Sequence, residues 1–186
     1  TEQMVSQVFP LIGLSNLPKY RASNGTQASE DALAHFEELL TLLRQRQTYA
    51  GGFSYWPGQN ANDLEVSLYV MHFLLEAKEL AYPVPQDMLQ SGINYIDSTI
   101  SAHLKSKPSR TEDVVTRPVQ KEAMLNARNR AHGIYLLTRY GVVTSNLLID
   151  LVDDLNQAAQ QSSQEASAAK AWQQDLIGAY IASSYA

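Results

Sequence analysis

The stretch NDLEVSLYVMHFLLEAKEL, residues 62–80, decides the fold class. Leu64, Val66, Leu68, Tyr69, Val70, Met71, Phe73, Leu74 and Leu75 leave it almost no polar face. It is too long for a strand and lacks period-2 alternation, so it predicts a helix over about 63–81. A helix that is apolar on nearly every side is buried between layers. Asn62 is the expected N-cap, with Glu65 three residues on to complete a capping box.

Outward from this helix the periodicity stays helical. Upstream lies a loop, AGGFSYWPGQNAND (50–63), with turn signals at Gly51-Gly52 and Pro57-Gly58. Before it a helix is expected over 29–48. Ser29 is its cap, and Leu33, Phe36, Leu40 and Leu43 form its apolar stripe. Arg44 and Arg46 sit where a helix C-terminus favours positive charge. A first helix is expected over 2–17 with Val5, Val8 and Ile12 on one side, kinked or divided at Pro10.

Downstream, Pro85 opens a helix with the stripe Leu89, Ile93, Ile96, Ile100 and Leu104. A fifth helix runs from near Pro118 to Tyr140, stopped by Gly141. A sixth follows Thr144-Ser145 and carries Leu147, Leu148, Leu151, Val152 and Leu155. A seventh covers about 165–184 with Trp172, Leu176, Tyr180 and Ile181. The polar-alanine stretch before it reads as a solvated helix end and linker. Helix starts at 29 and 85, and at 62 and 118, are 56 residues apart; the next two intervals are 60 and 47. That spacing predicts a repeated α-hairpin array, either a solenoid or a closed α/α toroid. In a toroid the all-apolar third helix suits the inner ring.

Composition narrows the function classes. The chain of 186 residues is 45% hydrophobic and 18% charged, with net charge -5 and pI about 5.3. An acidic balance argues against nucleic acid and against anionic membrane surfaces. No run is long and apolar enough to span a bilayer. There is no cysteine, hence no disulfide, Cys-based zinc site or thiol nucleophile within these residues. The chain starts at Thr1 in mid-helix, which suggests an excised piece of a longer protein.

Motifs for catalysis are sparse. His35, His72, His103 and His132 show no metal-binding spacing, so no metal is expected. GGFSYWPG lacks the Lys-Ser/Thr of a phosphate loop, and there is no GxSxG elbow. Glu37-Glu38 and Asp153-Asp154 are adjacent pairs and read as solvated helix faces rather than facing carboxylates. Phe53, Tyr55 and Trp56 either line a pocket or plug the end of the helical array. An enzyme on an α/α toroid would need a polar constellation at its mouth, and none is apparent.

Three phrases carry a family resemblance. They are Thr1-Glu2-Gln3 with Pro10 downstream; GGFSYWPG (51–58) with SLYVMHFLLEAKEL (67–80), followed by Val84-Pro85; and AHGIYLLTRYGV (131–142). In that order they resemble the thioester domain of bacterial alpha-2-macroglobulins, relatives of the complement thioester proteins. The resemblance covers nearly the whole chain, most weakly at 105–118 and 156–170. It implies an all-α fold in which residues 1–186 are part of a single thioester-type α/α toroid domain, an incomplete portion of six hairpins.

The resemblance also implies a mechanism. The family motif Gly-Cys-x-Glu-Gln places Glu2 and Gln3 on its last two positions and its cysteine immediately before Thr1, outside the chain. Cysteine and glutamine three positions apart condense with loss of ammonia into an internal thioester. Packing keeps water from it until a protease cuts a bait region, and a nucleophile then takes the glutamine acyl group. Phe53, Tyr55 and Trp56 are candidate shielding or structural aromatics. Neither His72 nor His132 sits in the family context for a steering histidine.

The implied function is a fragment of a broad-spectrum protease inhibitor of bacterial defence, not an enzyme and without a cofactor. The alternative is a non-covalent helical scaffold of a macroglobulin that lacks the thioester. Implied partners are target proteases, other domains of the same macroglobulin and a penicillin-binding-class peptidoglycan synthase. The implied location is the periplasm or cell envelope, as an inner-membrane-anchored lipoprotein.

Overall fold

The computed structural model describes residues 1–15, 17, 27–105, 117–161 and 172–185. Among them run α1 (Glu2–Leu14), α2 (Gln27–Arg44), α3 (Leu64–Glu79), α4 (Gln86–Lys105), α5 (Arg117–Tyr140), α6 (Ser145–Gln161) and α7 (Leu176–Ser184). The only extended pairing among the described residues is two isolated bridges, Gln47 with Phe53 and Phe53 with Asp63. The fold is all-α, as the periodicity predicts. Alternate helices recur more evenly than the sequence suggested. Gln27 to Gln86, Gln86 to Ser145 and Arg117 to Leu176 are each 59 residues, and Leu64 to Arg117 is 53. The last helix begins later than expected because a short 3₁₀ turn occupies 172–174 ahead of it. The chain divides into two compact units, Thr1–Ile96 and Asp97–Ala186.

In the first unit α1 packs on α2 and α3. The all-apolar α3 is buried as predicted, from Val66 through Ala77, with only Tyr69, His72 and Glu76 half-exposed along that run. Burial of each large side chain stabilises by roughly 1.5–3 kcal/mol. Phe73 is the centre of the aromatic packing, 5.4 Å from Phe9 and 5.7 Å from Phe36, and Phe36 lies 5.0 Å from Tyr82. Val5, Val8 and Ile12 are buried as expected. α1 ends three residues earlier than predicted and is not divided at Pro10, which lies on its exposed side.

Two sequence expectations shift by one residue. The buried stripe of α2 is Ala32, Phe36, Leu39 and Leu43, while Leu33 is exposed. The N-cap of α3 is Asp63, whose Oδ1 accepts from the Val66 amide at 2.9 Å. Asn62 is instead hydrogen-bonded through Oδ1 to the Thr48 hydroxyl. Ser29 lies inside α2, beyond its expected role as the cap. Of the α4 stripe, Leu89, Ile93, Ile96 and Ile100 are buried, and the Leu104 side chain lies outside the described residues. Gly92 of α4 is needed for contact with α3, since a Cβ there would stand 2.1 Å from Met71 Sδ.

α3 closes with a left-handed residue that is not glycine. Ala81 has φ 64°, and the Tyr82 and Ala81 amides bond the Ala77 and Lys78 carbonyls. These are the paired bonds of a Schellman ending. The Tyr82 hydroxyl meets Ser15 Oγ at 2.8 Å, which ties this corner to the end of α1.

In the second unit α5 packs on α6 and α7. Its core holds Ala131, Ile134, Leu136, Leu137, Leu148, Leu151, Ile177 and Ile181. α5 stops at Gly141 as predicted, with φ 97° and the same pair of bonds to Thr138 and Leu137. α7 presents Ile177, Ile181 and Ser184 inward, so Leu176, expected in the stripe, is exposed. Asp175 caps α7 by accepting from the Ile177 amide at 3.2 Å, and its carboxylate also receives Arg128 Nε at 2.8 Å. Arg130 binds Asp154 through both terminal nitrogens at 3.0 Å. His132 stacks on Tyr180 with 4.6 Å between ring centroids and 8° between planes. Residues 165–171 of the expected seventh helix lie outside the described residues.

Candidate functional site at the start of α1

The loop between α2 and α3 is held in one shape by its backbone. The Thr48 amide bonds the Gly52 carbonyl at 2.9 Å, the Ser54 amide the Arg46 carbonyl at 3.0 Å, and the Asp63 amide the Phe53 carbonyl at 3.0 Å. Side chains complete the lattice. Gln47 Nε2 donates to the carbonyls of Gly51 at 3.1 Å and Met88 at 2.9 Å. The Phe53 amide donates to Ser67 Oγ at 2.8 Å, and that hydroxyl donates to the Asp63 carbonyl at 2.6 Å. Ser67 is the polar residue of an otherwise apolar buried segment, and pairing of this kind is what makes its burial tolerable.

Both loop glycines are demanded by close approach. Gly51 has φ 92°, and a Cβ there would lie 2.2 Å from the Ser91 carbonyl oxygen. A Cβ on Gly52 would lie 2.8 Å from the Tyr95 ring and 2.9 Å from Asn62.

Thr1 docks on this loop. Its hydroxyl proton is shared between the Ser54 carbonyl at 2.6 Å and the Tyr55 carbonyl at 2.9 Å, and its amine donates to Tyr55 at 3.2 Å. The hydroxyl therefore does not cap α1. Glu2 in the first turn is favourable there against the helix dipole. Further along, Ser6 Oγ meets the Tyr69 hydroxyl at 2.9 Å, and Phe9 stands edge-on to His72 at 5.9 Å. His72 Nε2 is 3.6 Å from Glu76 Oε1.

Of the residues singled out in the sequence, Thr1 is bonded to the backbone of the 54–55 loop, and the others take different environments. Glu2 and Gln3 are exposed on the first turn of α1. Phe53 is fully buried and plugs the loop base, whereas Tyr55 is 42% and Trp56 67% exposed. The three aromatics therefore differ in burial, Phe53 lying in the core and the other two rings at the surface. Burial raises the Tyr55 hydroxyl above its ordinary value, and the carboxylates of Asp63, Glu65 and Glu2 add to this. Ser54, Ser67 and Arg46 were not singled out as site residues. The Ser54 contribution is a backbone carbonyl 53 residues from Thr1, for which side-chain identity gives no signal. Among the described residues no three His, Cys, Asp or Glu side chains gather at a metal-binding distance.

No family model matches the chain. It is 32% identical over 197 residues to alpha-2-macroglobulin of Pasteurella multocida, an alignment covering 100% of the chain and 9% of that relative. It is 28% identical over 190 residues to alpha-2-macroglobulin of Rickettsia conorii and 31% identical over 185 residues to an alpha-2-macroglobulin homolog of Yersinia pestis, covering all of the chain and 8% of each. A crystal structure of native Escherichia coli alpha-2-macroglobulin, spanning domain MG7 to the C-terminus, superposes with TM-score 0.60 at 20% identity. It matches 98% of this chain and 28% of that one. The structural likeness shows the fold. The whole chain is homologous to a segment of bacterial alpha-2-macroglobulins, and it spans less than a tenth of the length of these curated relatives.

Proposed function

We propose that this chain is part of the thioester-type domain of a protease-trapping macroglobulin, an inhibitor rather than an enzyme, and that Gln3 is the acyl half of its thioester. The observation that supports this most is the docking of Thr1 on the 51–58 loop, which joins two of the three family-like phrases in one place. In this reading a cysteine precedes Thr1. Its thiol and the Gln3 amide form a C–S bond as the C–N bond breaks and ammonia leaves. An attacking amine later forms an amide with the Gln3 carbonyl carbon, and the sulfur departs with the electron pair. In this reading Tyr55 and Trp56 are the candidate aromatics for keeping water from the bond.

Partners on this reading are target proteases, the other domains of the same protein and a peptidoglycan synthase of the penicillin-binding class. The proposed location is the periplasm or cell envelope, with a lipid anchor to the inner membrane. A second reading is a non-covalent helical scaffold of a macroglobulin that lacks the thioester.

Methylamine treatment of the full-length protein separates the two. The covalent reading expects one new free thiol and a methylamide on Gln3, seen by mass spectrometry. An unmodified Gln3 with no thiol release leaves the scaffold reading.

A further inference from the structure

Thr1 stands at the N-cap of α1, and its carbonyl accepts from the Met4 amide at 3.1 Å and the Val5 amide at 3.2 Å. A threonine in that place ordinarily turns its hydroxyl oxygen to an amide of its own first turn. Thr1 makes no such bond. Its hydroxyl is turned away from the helix as a donor, to the Ser54 carbonyl at 2.6 Å and the Tyr55 carbonyl at 2.9 Å. Those acceptors are themselves fixed. Ser54 is fully buried, its amide donates to the Arg46 carbonyl at 3.0 Å, and its hydroxyl donates to the Trp56 carbonyl at 2.7 Å. The Gly58 amide donates to the Gln45 carbonyl at 3.3 Å, so the far side of the loop is held just past the end of α2 as well. Thr1 is therefore restrained from two sides, by its carbonyl in the helix and by its side chain on the loop. Neither restraint uses the Thr1 nitrogen, so both hold when a residue precedes it.

We infer that Thr1, through its hydroxyl, is a positioning residue for closure of the thioester. This rests on the thioester reading above, in which the two reacting side chains flank Thr1, one on the residue before it and one on Gln3. In closure the carbon–sulfur bond forms as the Gln3 carbon–nitrogen bond breaks, and the thiol proton leaves with the ammonia. A reaction of this kind gains its rate from reactants held together in one geometry. Between the two side chains lie the backbone torsions of Thr1 and Glu2. The helix sets those of Glu2, and the bonds of the Thr1 hydroxyl to the 54–55 backbone restrain the turn by which the chain enters α1. Serine at this position supplies the same donor, whereas valine keeps the shape and supplies none.

The test uses full-length protein and its T1V, T1A, T1S and S15A variants. Free thiol is counted before and after methylamine, and the fraction that methylamine releases gives the share of molecules with a closed thioester. T1V and T1A are expected to lower that fraction about three-fold or more, with free thiol present from the start, and T1S to keep it near wild type. S15A removes the bond from the other end of α1 to Tyr82 and leaves Thr1 alone, so it should lower the melting temperature with the fraction unchanged. Two hydroxyl-free variants keep the test open if one of them fails to fold. Equal fractions in wild type, T1V and T1A, a loss in T1S as large as in T1V, or a loss in S15A that matches theirs each overturns this inference and leaves the thioester reading standing. No thiol release from wild-type protein overturns both.

Discussion

Gly51 and Gly141 both adopt left-handed backbone, with φ 92° and 97°, yet their surroundings differ. A Cβ on Gly141 meets nothing within 4 Å, whereas on Gly51 it would press into the Ser91 carbonyl. G141A therefore meets backbone strain alone, and a loss of about 1 kcal/mol is expected. G51A adds displacement of α4, and at least about 2 kcal/mol is expected. Urea denaturation midpoints should fall in that order. The sequence marks Gly51 as a turn signal and Gly141 as a helix stop, because glycine is visible one letter at a time. What separates them is a neighbour 40 residues along the chain, and no local pattern reports it. Trp56 illustrates the same gap, since its letter announces a large apolar ring and only the packing shows that it faces solvent.

Helix periodicity was legible across the described residues, whereas the facing direction was less so. In α2 both Leu33-Phe36-Leu40-Leu43 and Ala32-Phe36-Leu39-Leu43 satisfy helical spacing, and they share two members. The protein buries the second. Asn62 and Asp63 are both competent caps, and Thr48 decides between them by engaging Asn62. Asp175 shows how a cap brings pH dependence to its element. Arg128 holds its carboxyl below the usual carboxylate range, and the Ile177 and Leu176 amides reinforce this against desolvation. The folded value lies below the unfolded one. Its contribution is therefore fully present above the unfolded value of about 4 and is lost as pH falls through the folded value. Circular dichroism at decreasing pH should show the second unit weakening below about pH 4. D175N should lower stability at neutral pH and flatten that dependence.

The two compact units each hold their own apolar centre, one around Phe36 and Phe73, the other around Leu137 and Ile181. F36A is expected to cost the first unit about 3–5 kcal/mol and L137A the second about 2–5 kcal/mol. Hydrogen exchange should show protection lost in α1–α3 for the former and in α5–α7 for the latter. The repeat of helical hairpins was visible in the sequence as a loose 56-residue beat and is tighter in the structure, since the start of α7 was hidden behind the turn at 172–174. The words of the candidate site were legible too, though not the hydrogen bonds that join them. Those bonds set a mechanical path. A tug on the chain at Thr1 is shared by three short links into the 54–55 backbone before α1 feels it. From there it runs through the Arg46 and Ser67 connections into α2 and α3, so the first turn of α1 behaves as a latch against the loop and not as a free handle.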